Sequence, residues 1–219
     1  MNGRSVHSGL LIEPDIEAEL THRKTAMTHS FDLRRAADLT PAPWKNGGGS
    51  TREIAAGPSG SGFEDFAWRA SIADVGADGP FSRFAGIDRT IVLVGGNGMA
   101  LKLDGAAEHR LERPFVPFAF RGEAQVWASL IGGATQDFNL MIRRELADGD
   151  VTVLHDEGTL AVDAAVRMLF VARGRAGLID EGRHTGLDTH DTALLRGAPV
   201  SLDLGAGAVV FAIRIRLRK

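Results

Sequence analysis

The chain has 219 residues, of which 44% are apolar and 24% charged, proportions that support a globular core and speak against disorder. A net charge of −3 provides no global positive field to draw nucleic acid or an anionic membrane, so neither is an expected partner. Cysteine is absent, which removes disulfides, thiolate nucleophiles, zinc–thiolate sites and iron–sulfur clusters together.

No apolar run is long enough to span a bilayer, and Met1 to Lys24 mixes charges throughout instead of forming a signal-peptide block. The expected location is the cytoplasm. Residues 1–28 show neither strand alternation nor a sustained helical stripe and read as a mobile extension, with Met27 as an alternative start. The folded unit is expected over residues 29–219.

Next in the chain, Pro43-Trp44-Lys45-Asn46-Gly47-Gly48-Gly49-Ser50-Thr51 sets an aromatic, a cation, an amide and three glycines side by side. Such a mixture suits a site better than a core. Glycine is useful where φ is positive or where main-chain amides approach something closely. Gly47 and Gly48 are therefore expected to offer N–H groups to a small anion, as in an anion-binding nest, with the Lys45 ammonium beside them and Trp44 as a wall. Asn46 adds donors, and Ser50 and Thr51 are the strongest nucleophiles of the stretch. Ser50-Thr51-Arg52-Glu53 also matches a helix capping box and leaves a helix entry open, although Gly57-Pro58 soon ends any helix.

From Phe66 onward the chain reads as short strands punctuated by glycine and proline. Strands are predicted over 68–73, 90–94, 99–103, 125–131, 138–142, 166–172, 193–195, 200–204 and 209–217. In the last, Phe211, Ile213, Ile215 and Leu217 alternate with Ala212, Arg214, Arg216 and Arg218, which gives one apolar face and one basic, solvated face. Along the first, Arg69 and Ser71 share a face opposite Trp68, Ala70 and Ile72. Asp137 and Asn139 likewise oppose Phe138, Leu140 and Ile142. Such polar positions face water or line a barrel cavity, and the residues alone leave both open.

A weak internal repeat sets the architecture. Thr90 to Gly98 followed by Phe118 to Ala124 resembles Leu169 to Ala176 followed by Ala193 to Pro199: a strand runs into a glycine turn, and a second strand ends in Arg-Gly. That rhythm predicts an all-β bicupin, two small cupin-type barrels of the RmlC-like jelly-roll kind, over about 42–145 and 150–219, with exchange of strands between them left open. Bicupins often pair through strands or sheets, so a homodimer is among the expectations. Cupins usually hold metal through a His-x-His pair, which this chain lacks. Its seven histidines are scattered, so no metal and no other cofactor is expected.

Pro43 to Ile54, Trp68-Arg69-Ala70-Ser71-Ile72-Ala73, Gly79-Pro80-Phe81-Ser82, Phe84-Ala85-Gly86 and Asp137-Phe138-Asn139-Leu140-Met141 together resemble the HutD/Ves family, over about Phe31 to the C-terminus. The resemblance implies a metal-poor bicupin, found beside histidine-utilisation enzymes in many bacteria, that binds a small pathway-related ligand in a regulatory capacity and has no established catalytic activity. It favours the cavity reading of the polar strand positions.

In such a cavity Arg69 can grip a carboxylate with two parallel hydrogen bonds, Lys45 adds a point charge, and Asn46 and Ser71 fix orientation. Asp137 and Asn139 suit a substituent that donates hydrogen bonds, such as an amino, imidazole or formimino group. The expected partner is a small carboxylate, with N-formylglutamate, formiminoglutamate and urocanate suggested by pathway association alone. Arg69 could instead pair with Asp137 or Glu53, and Ser82 and Arg89 are either pocket residues or holders of turns. The alternative function is a metal-independent isomerase or hydrolase that uses Lys45, Glu53 or Asp137 as acid or base. No residue is singled out as catalytic, because G-x-S-x-G, phosphate-loop, nucleotide and Cys–His signatures are all missing.

Overall fold

The structure is a computed structural model that describes residues 30–62, 65–106 and 108–218. The expected N-terminal extension lies outside the described residues. Within them the chain is all-β, with a single 3-10 turn at Ala36–Asp38, and no helix is long and apolar enough to cross a membrane.

After β1 (Phe31–Arg34), the first half contributes β2 (Pro41–Pro43), β3 (Gly49–Gly57), β4 (Trp68–Val75), β5 (Gly79–Pro80), β6 (Ile87–Gly95), β7 (Met99–Leu103), β8 (Glu108–Leu111), β9 (Phe118–Arg121), β10 (Val126–Leu130) and β11 (Thr135–Arg143). The second half contributes β12 (Ala147–Leu154), β13 (Gly158–Ala161), β14 (Val166–Arg173), β15 (Ala176–Asp180), β16 (Arg183–Leu187), β17 (Thr192–Leu195), β18 (Ser201–Leu204) and β19 (Val209–Leu217).

Each half is a large sheet with a smaller one. The first large sheet has the order β2-β3-β4-β11-β6-β9 and its small partner β5-β10-β7-β8. The second large sheet runs β1-β17-β14-β19-β12, and its small partner β13-β18-β15-β16. The order β4-β11-β6-β9 thus recurs as β12-β19-β14-β17, and the small sheets match strand for strand. The sequence repeat falls on equivalent neighbours, since β6 pairs with β9 and β14 with β17, both antiparallel.

Side-chain alternation then assigns three main cores, beside a small cluster of Phe66, Ile87 and Met141. The largest lies between the two large sheets, where Ala70, Ile72, Phe138 and Leu140 meet Met168, Phe170, Phe211 and Ile213. Phe138 sits 4.9 Å from Phe170 and 5.5 Å from Phe211, centroid to centroid. A second core, with Leu169, Val171, Leu178, Leu202 and Val210, fills the second half. The third, with Val75, Ile91, Met99, Leu101 and Ala128, occupies part of the first half.

Ser50 to Glu53 opens no helix, because it belongs to β3, whose main chain pairs with β4 on one side and β2 on the other. The strand β12 escapes the apolar pattern because Asp148 and Asp150 interrupt it. Those acids serve the basic stripe of β19, where Arg218 binds Asp148 and Arg214 binds Asp150. The stripe is therefore an exposed ion-paired face. The strand β1 leaves the first half to pair with β17, fixed by Ser30 Oγ donating to Asp180 and Arg35 donating to Asp191.

Because both halves share the Phe138 cluster, Phe138→Ala is expected to cost about 3–5 kcal/mol. Urea denaturation followed by tryptophan fluorescence and circular dichroism should still give one coincident transition, and two separated transitions would refute a shared core.

Candidate functional site

Between the large and small sheets of the first half, the interior is only partly filled by the apolar core. The remainder is a cavity of about 760 Å³, within the range usual for small-molecule sites. Its walls come from the β2–β3 turn (Trp44, Lys45, Asn46), β3 (Thr51), β4 (Arg69, Ser71), the β5–β6 segment (Phe81, Ser82, Phe84), β6 (Arg89) and β11 (Asp137, Asn139, Met141).

The β2–β3 turn is built to seat Trp44. Gly47 has φ +71°, a left-handed conformation that glycine adopts without strain. At Gly49 a Cβ would collide with the Asp74 carbonyl and the Trp44 ring. The indole Nε1 donates to Thr51 Oγ1 at 2.8 Å, which fixes the ring as a wall. The amides expected to meet an anion are engaged within the turn: Gly47 N–H donates to the Trp44 carbonyl at 3.0 Å and Gly48 N–H to Asn46 Oδ1 at 3.1 Å. Gly47 and Gly48 consequently support the cavity and do not line it.

Two guanidinium groups enter the interior in different ways. Arg69 Nε donates to Glu53 Oε2 at 2.6 Å, and Nη1 lies 3.5 Å from Ser71 Oγ. Glu53 itself is half exposed outside the cavity lining, so it neutralises Arg69 from the side. Arg89 is 7% exposed and sits over the rings of Phe81, Phe84 and Phe120, with its Cζ 5.4, 5.6 and 5.0 Å from their centroids. Its Nε has no hydrogen-bond partner among the described residues. Burial pulls the Arg89 guanidinium down to about 10, against the attraction of Asp137, so it remains a cation at neutral pH.

Asp137 is 2% exposed, and its Oδ2 also lacks a hydrogen-bond partner among the described residues, as does Asn139 Oδ1. Burial pushes the Asp137 carboxyl up to about 7, opposed by Arg89 and reinforced by Asp74. No convergent set of three histidine, aspartate or glutamate side chains occurs among the described residues.

A sequence model of the HutD family matches residues 36–211. The chain belongs to the HutD family. It is 40% identical over 168 residues to a 21.2 kDa protein from the hutC 3′ region of Pseudomonas putida, a match covering 76% of this chain and 87% of that protein. Among solved structures it resembles a conserved protein of unknown function from Pseudomonas aeruginosa PAO1, with TM-score 0.77, 36% identity and coverage of 84% of this chain and 98% of that one. It also resembles HutD from Pseudomonas fluorescens SBW25, solved under a formate condition, with TM-score 0.74, 35% identity and coverage of 86% and 100%.

In this HutD-family chain the cavity brings together Trp44, Lys45, Asn46, Thr51, Arg69, Ser71, Ser82, Arg89, Asp137 and Asn139. Gly47, Gly48 and Glu53 stand behind it. Trp68 packs against the core between the large sheets. Of the described histidines, His109 stacks on Phe118 and His190 on Phe170, and none of them lines the cavity; His7, His22 and His29 lie outside the described residues. Sequence reasoning missed Met141, Phe81 and Phe84 as walls. Met141 was available, since it shares the face of Asp137 and Asn139 at period two. The phenyl cage of Arg89 was not, because Phe120 reaches it only through the pairing of β6 with β9.

The raised Asp137 pKa fixes the sign of a pH effect. The folded protein holds that proton more tightly than the unfolded chain, whose aspartates titrate near 4. Asp137 therefore costs nothing below pH about 4, and its penalty grows until the pH passes about 7. Asp137→Asn is expected to stabilise the protein by on the order of 2–4 kcal/mol at pH 8 and by little at pH 4. Urea titrations at the two pH values measure the difference.

Proposed function

We propose that this protein is a receptor for a small carboxylate, with a regulatory part in histidine utilisation, and that its two sheet pairs are cupin-type barrels of which the first holds the ligand without metal. Arg89 carries this reading. A buried guanidinium whose Nε meets no acceptor among the described residues is costly, and a carboxylate is the planar anion that matches its fork. Arg69 is already bonded to Glu53, so Arg89 is the interior guanidinium that feels Asp137 without being hydrogen-bonded to an acid. Lys45, exposed at the β2–β3 turn, offers a point charge to a second acidic group.

The far wall suits a different chemistry. Asp137 and Asn139 present acceptor oxygens without partners among the described residues, which fits a ligand nitrogen that donates a hydrogen bond. The family name and the hutC neighbourhood of the Pseudomonas putida relative support a histidine-utilisation setting. N-formylglutamate, formiminoglutamate and urocanate are the acids of that setting with the required groups. The formate condition of the Pseudomonas fluorescens HutD structure adds the simplest carboxylate as a probe.

A second reading rests on Asp137 alone. A carboxyl brought near neutrality inside a cavity is suited to general acid–base work, so a metal-independent isomerase or hydrolase of a small acid would use it. Turnover of one of these acids, abolished by Asp137→Asn, would favour the enzyme.

Calorimetric titration of chelator-treated protein at pH 6 with each acid tests the receptor. One of them is expected to bind saturably. Arg89→Met should weaken it at least about 30-fold while leaving the fold intact, as loss of a charge-assisted pair implies. Lys45→Ala should weaken it about two- to fivefold, as befits an exposed charge. Absence of heat with every acid, from folded protein, would remove the histidine-pathway ligand.

A further inference from the structure

We propose that carboxylate binding in this cavity is coupled to proton uptake: the anion that seats on Arg89 enters with one proton, and Asp137 is where that proton ends. The inference rests on the carboxylate-receptor reading and adds to it a residue that decides what charge the site accepts.

The argument starts from which charges face Asp137. Arg89 approaches from β6, and Arg69 and Asp74 belong to β4. Glu53 on β3 acts through Arg69, to which it is bonded. Lys45 stands in the β2–β3 turn, and the β5–β6 segment presents Pro80, Phe81, Ser82 and Phe84, none of which titrates. On β11 itself the polar neighbours are Gln136, whose amide donates to Asp74 at 2.7 Å, and Asn139. Asp74 is in turn bonded by Ser50 and Arg52 at the sheet surface. The Arg89 cation is thus the principal group that keeps Asp137 ionised, and it is not committed to Asp137 by any hydrogen bond.

A carboxylate arriving at Arg89 takes over that cation and places a second negative charge near the first. Two carboxylates that share one guanidinium in a low-dielectric space do not both remain ionised, and one of them takes a proton. The ligand end is held by the guanidinium fork. Asp137, whose Oδ2 is buried and without a partner among the described residues, is the group with the weaker claim on its charge. Water supplies the proton, no covalent bond changes, and the filled interior gains no net charge. The interior then has room for one carboxylate, and any second acidic group of the ligand belongs at the mouth beside Lys45.

The coupling has a defined pH signature. Below the Asp137 midpoint the proton is already present and affinity is flat. Above it each ligand must recruit one, so affinity falls about tenfold per pH unit. The apo midpoint near pH 7 places the break in an accessible range. N-formylglutamate and formate, whose own carboxyls titrate well below pH 6, serve as probes between pH 6 and 8.5.

Calorimetry at pH 8 in HEPES and in Tris, which differ in ionisation enthalpy, counts the protons. The expected result is one proton taken up per ligand in the wild type and none in Asp137→Asn, whose affinity for formate, whatever its absolute value, should stay flat between pH 6 and 8.5 while that of the wild type falls. Equal heats in the two buffers, or uptake that persists in Asp137→Asn, would overturn the coupling while leaving the receptor in place. No binding of either acid to folded wild type at pH 6 would overturn both. Should Asp137→Asn not fold, the wild type carries the test alone: the side-chain carboxyl carbon resonance of Asp137 should titrate near pH 7 without ligand and move upward in saturating formate. An unmoved midpoint overturns the proposal.

Discussion

Contact between the two large sheets is the constraint on which the remaining architecture depends. Phe138, Phe170 and Phe211 meet there, and the contact consumes one face of β4, β11, β14 and β19. Because strand side chains alternate, every residue between those on the same strands must point into the space between a large sheet and its small partner. In the second half that space receives Leu169, Val171, Val210 and Ala212, which pack into an apolar core. In the first half the same alternation delivers Arg69, Ser71, Asp137 and Asn139, which do not close it. One strand order, used twice, thus yields one mainly apolar interior and one that keeps an open, polar-lined cavity of about 760 Å³.

The open interior holds charge that the protein only partly balances. Glu53 answers Arg69. Phenyl faces surround Arg89 and provide cation–π attraction, but they accept no conventional N–H···O bonds. Asp137 is near enough to feel Arg89 and is not hydrogen-bonded to it. A structural ion pair would have been drawn together to satisfy both groups. Polar atoms held apart around a cavity retain their hydrogen-bonding capacity, unlike those of a buried salt bridge.

Much of this was legible in the sequence. Alternation placed Arg69 and Ser71 opposite Trp68, Ala70 and Ile72, and Asp137 and Asn139 opposite Phe138, Leu140 and Ile142, and glycine turns between apolar runs indicated a repeated set of short strands. Of the Trp44 to Thr51 segment, expected to form part of a site, Trp44, Lys45, Asn46 and Thr51 line the cavity, whereas the glycine amides expected to meet an anion bond within the turn. The glycines shape a turn that holds an indole against Thr51, a role set by the carbonyl of Asp74 on β4, far along the chain. Arg89 looked no different from a turn-holding arginine because its surroundings come from three separate segments. Strand β12 was hidden because its acidic residues are matched by arginines on β19, and such cross-strand compensation leaves no local apolar pattern.

The pairing of β1 with β17 has a consequence for how the molecule can be divided. Phe31 lies opposite Leu195, so the start of the described chain completes the sheet of the half made last. Although the connection between the halves runs through the short stretch separating β11 from β12, severing it would not release two self-sufficient pieces. The earlier fragment would carry a strand with no sheet to join, and the later fragment would expose the open edge of β17. The repeated architecture is therefore indivisible: β1 acts as a clasp between the halves, and the cavity is carried by a fold that completes itself only when β1 has joined β17.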